Sequence, residues 1–199
     1  MRQTLVVMVK EPHPGRVKTR LGRDIGMVPA AWWFRHQTRA LLRRLSDPRW
    51  QIVLAVSPDA EGGKSRVWPD HLPRMVQGRG DLGNRMARAF RYPCHGPLCI
   101  IGADIPGIRK SHINRAFRAL GHAEVVFGPA PDGGFWLMGL KRTRALPAGI
   151  FADVRWSTEH ALDDTRKSVP HLRAAHVDIL RDVDTGHDLR MTTPGARAT

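Results

Sequence analysis

Two hydrophobic periods alternate along this chain, and that alternation limits its folds more than any other feature. Short runs rich in Val, Ile and Leu recur at Thr4–Val9, Gln51–Val56 and Leu98–Gly102, each followed by turn residues. Runs of this length and composition read as buried strands. Between them lie stretches of helical period. Over Pro29–Leu45, Phe34, Thr38, Leu41, Leu42 and Leu45 share one face, and Pro29 suits a first turn. A second helix runs from a cap at Asp81 to about Tyr92, with Leu82, Met86, Ala89 and Phe90 as its apolar face. Further helices are predicted over Lys110–Leu120, capped near Ser111, and over Ser157–Val169, capped by Ser157 or Thr158. Strands joined by helical crossovers form a mainly parallel sheet covered on both faces. Glu124–Gly128 and Phe135–Leu140 are separated only by Pro129–Gly134, too little for a crossover, so this pair returns like a hairpin and the sheet is mixed. Leu172–Val177 is a last short strand, residues 59–71 a polar connection and Met191–Thr199 a frayed tail. The expected architecture is an α/β three-layer sandwich: one domain over residues 1–190, with 191–199 as the tail.

Charge narrows the partners. The chain carries a net charge of +14, and 11 of its 32 basic residues lie in the first fifty positions against three acidic ones. Such a field draws phosphates, nucleic acid or acidic surfaces; an Arg-biased, solvated surface is the competing explanation. No apolar run is long enough to span a bilayer, and Lys10 and Glu11 interrupt the first one early, unlike a signal peptide. Cys94 and Cys99 alone make neither a disulfide framework nor a four-ligand zinc site, and they read as reduced thiols of a cytoplasmic protein.

In open α/β sheets, ligands bind beyond the carboxyl ends of the strands. Four segments reach such ends with chemistry to offer. Residues 10–21, K-E-P-H-P-G-R-V-K-T-R-L, gather Lys10, Arg16, Lys18 and Arg20 around a turn at Gly15. This is a phosphate cradle or a plain basic loop; the Walker A pattern is absent. Asp104, in Gly102-Ala103-Asp104-Ile105-Pro106, follows a buried strand and is a ligand for a hard cation such as magnesium or a cap for its own turn. Asp132-Gly133-Gly134 allows close approach to a ligand, or is a simple Asp-Gly turn. Asp182 and Asp184 point to one side if extended and can complete a metal site with Asp104, or are solvated turn residues. One anion loop and three acidic turns together fit a metal-bridged nucleoside di- or triphosphate.

These segments resemble one family, in order, from about residue 4 to 189. They are similar to the radical-SAM/selenodomain-associated transferases of the GT-A, or nucleotide-diphospho-sugar transferase, superfamily. The motifs are K-E-P-x-P-G-R-V-K-T-R-L at 10–21, Gln77-Gly78 followed by G-D-L-G-N-R-M at 80–86, G-A-D-I-P at 102–106, G-P-A-P-D-G-G-F-W-L-M-G-L at 128–140, W-S-T at 156–158 and D-V-D-T at 182–185 with Asp188-Leu189. Gly186-His187 stands where the family pattern has Pro-Glu, Ala103 where it has Ser, and Phe135-Trp136 where it has Tyr-Tyr.

The resemblance implies a Rossmann-like GT-A sandwich and a magnesium- or manganese-dependent transferase with a nucleotide-activated donor. It implies phosphate binding by Lys18 and Arg20, to which the basic loop adds Lys10 and Arg16. It implies catalytic roles for Asp104 and Asp132, the latter facing the acceptor or the metal, and metal contacts from Asp104 and Asp184, while the glycine turn adds substrate contacts at Gly133 and Gly134. Trp136 and Trp156 either stack on a base or sugar or pack in the core. Two chemistries follow. Glycosyl transfer from a nucleotide-sugar to a small acceptor is favoured by the Asp-Gly-Gly loop. Nucleotidyl transfer is favoured by the K-T-R-L portion, which is similar to phospholactate guanylyltransferases. A third class, a basic nucleic-acid-binding module, suits the charge, but its arginines show no stripe interleaved with aromatics.

Overall fold

The structure, a computed structural model, describes residues 3–192. In chain order the elements are β1 (Gln3–Lys10), α1 (Thr19–Ile25), α2 (Met27–Leu45), β2 (Trp50–Ser57), α3 (Asp59–Gly62), β3 (Arg74–Val76), α4 (Leu82–Phe90), β4 (Leu98–Gly102), α5 (Lys110–Ala119), β5 (Val125–Pro129), β6 (Phe135–Leu140), α6 (Ala161–Lys167), β7 (Ala174–His176) and α7 (Gly186–Thr192). One seven-stranded sheet takes the order β3-β2-β1-β4-β6-β5-β7. β6 runs antiparallel to both neighbours, and every other pairing is parallel.

Side chains alternate across β1, so Leu5, Val7 and Val9 enter one apolar cluster and Val6 another. The first cluster is covered by Phe34, Leu41, Leu42 and Leu45 of α2 and by Ile113, Ala116 and Phe117 of α5. The second is covered by Met86, Ala89 and Phe90 of α4, with Leu162 of α6 against it. Helices thus lie on both faces, as the unbroken apolar runs of β1, β2 and β4 require. The return from β5 to β6 is the expected hairpin, with the register slipping at Gly128/Pro129.

Several local expectations need correction. β3 is an additional strand: it is three residues long, and its half-exposed Arg-Met-Val lacks the strand pattern. The connection at 59–71 is not wholly irregular, since it opens with the single turn α3 and buries Trp68, whose indole N–H donates to Glu11 Oε1 at 3.0 Å. Asp81 caps α4 as expected, accepting from the Asn84 amide at 2.8 Å, but Leu82 is exposed and leaves the apolar face to its neighbours. α5 begins after Arg109, whose amide donates to His112 Nδ1, so Ser111 lies inside the helix. The helix expected over Ser157–Val169 shortens to α6. Ser157 is left-handed at φ 61°, while Thr158 donates to the Arg155 carbonyl and accepts from the His160 amide, a side-chain turn that competes with helix. Of the expected C-terminal tail, Met191 and Thr192 close α7, and residues 193–199 lie outside the described residues.

Candidate active site

β1 pairs with β2 on one side and with β4 on the other, and the chain changes direction between them. A sheet opens a crevice at such a switch point. Here it is a cleft of about 620 Å³, lined by Met8 and Lys10 of β1, the β4 end through Asp104, the start of β6 and α4, and Arg16–Arg20 of the basic loop. All four predicted phosphate ligands, Lys10, Arg16, Lys18 and Arg20, reach it, as do Asp104 and Asp184. Asp104 stands at the carboxyl end of β4, the middle strand of the seven.

The cations of the loop have partners of their own. Lys18 is left-handed at φ 46°, immediately before α1. Its side chain is only 7% exposed, with Nζ 2.6 Å from Asp104 Oδ2 and 2.7 Å from Asp184 Oδ1. Arg20 Nη1 donates to the other oxygen of Asp184 at 2.9 Å, and Arg16 lies 3.6 Å from Glu61. Burial opposes the charge on Lys18, but Asp104 and then Asp184 outweigh it and hold the ammonium above the usual lysine range.

The segment carrying Asp182 and Asp184 is fixed from behind. Asp188 Oδ2 accepts from the amides of Asp184 and Thr185 and from the Thr185 hydroxyl, at 2.7–3.2 Å. The Gly186 amide donates to Asp24 Oδ2 at 2.7 Å, a bond that proline, the resembling family's residue here, cannot make. Asp182 completes a triad with Asp104 and Asp184, their nearest carboxylate oxygens all within 4.8 Å of one another. Burial, then repulsion from Asp184, pushes the Asp182 carboxyl up to about 6 against the pull of Lys18. Asp104 and Asp132 add to the repulsion. Three hard carboxylate oxygens suit magnesium or manganese, and their spread is close to the roughly 4.2 Å spanned by opposite ligands of an octahedral cation. The donor set fits, after a small contraction.

The Asp-Gly-Gly loop stands apart from the cleft lining. Asp132 Oδ1 accepts from the Gly134 amide at 3.0 Å, an Asx turn, and its carboxylate reaches the triad through its field alone. Gly133, at φ 82°, lies so close to Glu159 that an added Cβ would sit 2.0 Å from the Glu159 carbonyl oxygen. Its amino-acid type is therefore required by packing against the 158–162 segment. Trp136 is 3% exposed, donates to the Asp178 carbonyl at 2.8 Å and borders the cleft, while Trp156 packs against Phe135 and Phe151. Trp136 is thus a core residue, and Trp156 is partly buried at the edge of the second cluster.

Two lining residues fall outside the sequence-based site assignment although they belong to a motif it contains. Gln77 is buried and donates its amide to the carbonyls of Val9 and Ala55, at 3.0 and 2.8 Å, tying the ends of β1 and β2 together. Arg85 lies in the first turn of α4, its Nε on the Gly80 carbonyl at 3.1 Å. The signal available for both is a polar residue beside a glycine turn ahead of an amphipathic helix.

The seven-stranded mixed sheet and its covering helices make a GT-A-like α/β fold. A candidate nucleotide-diphospho-sugar transferase from Desulfovibrio desulfuricans G20 superposes with a TM-score of 0.87 at 27% identity, over 100% of this chain and 90% of that one. The chain belongs to the family described as "Uncharacterized protein conserved in bacteria (DUF2064)", whose pattern matches residues 40–158. The match includes Asp104 and the Asp-Gly-Gly loop and excludes Lys18 and the Asp182–Asp184 segment. Rv0371C from Mycobacterium tuberculosis H37Rv, in complex with manganese, aligns at TM-score 0.55 and 20% identity over 96% and 97% of the two chains. The 2-C-methyl-D-erythritol 4-phosphate cytidylyltransferase of Thermus thermophilus aligns at 0.51 and 14%, over 100% of both. No curated protein matches the chain significantly.

Proposed function

We propose that this protein is a magnesium- or manganese-dependent transferase acting on a nucleotide-activated donor, with glycosyl transfer from a nucleotide-diphospho-sugar to a small acceptor as the reaction. One observation carries the reading: Asp104, Asp182 and Asp184 converge with Lys18 at the switch point, beside a cleft large enough for a nucleotide. The manganese complex of Rv0371C and the description of the Desulfovibrio protein support it. The six motifs shared with the radical-SAM/selenodomain-associated transferases point the same way.

Asp104, Asp182 and Asp184 would hold the cation, which when bound offsets charge on the leaving diphosphate. Lys10, Arg16 and Arg20 line the same cleft and supply guanidinium and ammonium donors to phosphate oxygens. Met8 and the exposed Leu82 give the cleft apolar surface for a base or sugar. Asp132, exposed and adjacent to the triad's field, is the base proposed to accept the acceptor hydroxyl's proton as the oxygen attacks the sugar carbon.

The basic loop's likeness to guanylyltransferases favours a second reading, nucleotidyl transfer. A single experiment separates them. The protein with manganese is incubated with nucleotide-sugars and, separately, with nucleoside triphosphates and sugar or lactate phosphates. Release of nucleoside diphosphate supports glycosyl transfer, and release of pyrophosphate selects nucleotidyl transfer. Neither product, with oligonucleotides the only ligands bound, overturns both in favour of a nucleic-acid-binding module.

A further inference from the structure

We infer that Lys18 is a tethered counter-cation that keeps the carboxylate triad assembled while no divalent ion is bound, and that it yields this place when one binds. The inference rests on the metal-site reading above and adds a role for a lysine that the sequence assigned to phosphate.

Three observations carry it. The first is position. Nζ of Lys18 is ion-paired with an oxygen of Asp104 and donates to one of Asp184, two of the three groups whose oxygens could ligate an ion. An ammonium at 2.6–2.7 Å from those oxygens and a divalent ion gathering the same groups would compete for the same lone pairs.

The second is charge. Three carboxylates face two cations here, and Arg20 is largely exposed at 67% while Lys18 is buried at 7%. Asp182 has no hydrogen bond or ion pair among the described residues. Carboxylates brought this close repel strongly unless a cation stands among them. Lys18 fills that need with one charge, where a divalent ion would bring two.

The third is backbone. Lys18 is a non-glycine residue in the left-handed region, at φ 46°. That conformation is costly and persists only where its surroundings hold it. The Lys18 carbonyl accepts from the Gly22 amide at 2.8 Å at the start of α1, so the backbone is fixed there and aims the side chain at Asp104 and Asp184. A point charge on a flexible four-carbon stem can swing from carboxylate to a neighbouring phosphate without moving the chain. Lys18 also lines the cleft, so the released ammonium has a diphosphate within its reach. The phosphate role expected of Lys18 and the ion pair seen here become two states of one side chain.

The test uses manganese chloride alone, titrated into chelator-treated protein and followed by electron paramagnetic resonance of the free ion. Lys18→Met removes the competitor and keeps the stem's bulk, so manganese should bind about tenfold tighter or more, the scale of a lost charge-assisted contact. Asp104→Asn should bind it more weakly than the wild type. Equal or weaker binding by Lys18→Met, with wild-type binding that depends on Asp104, overturns the counter-cation role and leaves the metal site standing. Absence of manganese binding in both wild type and Lys18→Met overturns the metal site and this role together.

Lys18→Met leaves three carboxylates unbalanced and can fail to fold, so a second measurement uses the unaltered protein. Acylation of Lys18 by an amine-reactive ester, read by peptide mass spectrometry against exposed Lys64, should rise several-fold when manganese is added. An unchanged Lys18 rate in protein shown to bind manganese overturns the proposal.

Discussion

Replacing Asp104 by Asn changes one charge at the centre of the site and little else. In the unliganded protein two effects oppose. Lys18 loses one of its charged partners but keeps an amide oxygen at that position and Asp184 at 2.7 Å. The triad sheds one of three mutually repelling charges. The net change in stability should stay within about 1 kcal/mol, a shift of roughly 2–4 °C for a chain of this size. With ligand the contrast is large. At a hundred times its dissociation constant, a metal–nucleotide complex stabilises the wild type by about 2.7 kcal/mol, or about 5–10 °C. Asp104→Asn should show almost none of that shift. The assay is a thermal melt with nucleotide-sugar, run with manganese and with chelator, on both proteins. A full ligand-induced shift in Asp104→Asn would refute the assignment of Asp104 to the metal and the phosphate chemistry built on it.

Gln77→Leu should destabilise by about 2–4 kcal/mol, because two buried carbonyls, Val9 and Ala55, lose their donor; a urea midpoint unchanged from wild type would contradict this. The Asp182 carboxyl is pushed up to about 6 in the folded protein, against about 3.9 when unfolded. The folded state then binds the proton more tightly, so this group's contribution to metal-free stability is greatest below about pH 4 and falls as pH rises to about 6. Asp182→Asn should flatten that slope in chelator-containing melts across this window, and an unaltered slope would count against it. Cys99 is fully buried and its thiol is pushed far up by that burial, whereas Cys94 is partly exposed; alkylation of the native protein should label Cys94 first, as peptide mapping will show. Gly186→Pro should cost about 1.5–3 kcal/mol in denaturant melts by removing the amide bonded to Asp24, and a neutral outcome would show that bond to be dispensable.

What is legible in the sequence follows from how local its cause is. β1, β2 and β4 declare themselves because each is buried on both faces and so apolar at nearly every position. β3 owes its pairing to the neighbouring β2, and its three residues carry no pattern of their own. The turn at 157–160 is hidden because a Thr side chain takes hydrogen bonds that helix period alone leaves to the backbone. At the cleft, Asp104 can be singled out because it follows a strand end, whereas Asp184 lies in the long connection between β7 and α7 and is marked only by its spacing from Asp182. The ion pair of Lys18 with Asp104 and Asp184 cannot be foreseen, because it depends on a left-handed φ and on a partner 166 positions away. The glycines at 133–134 suggest room for a ligand, while packing against Glu159 accounts for Gly133.

The distance in sequence between Lys18 and Asp184 has a consequence for how the protein is made. Chains leave the ribosome amino end first, at about 5–20 residues per second. Lys18 and the β1 end emerge early, and Asp104 can join them only when the middle of the chain has followed. Asp182 and Asp184 follow later than both, and the Gly186–Asp24 bond fastens their segment to α1. A growing chain therefore holds a basic loop with one carboxylate partner and no triad. If the proposed site is right, a polypeptide arrested before residue 182 lacks two of its three carboxylates and should bind neither manganese nor a nucleotide-sugar.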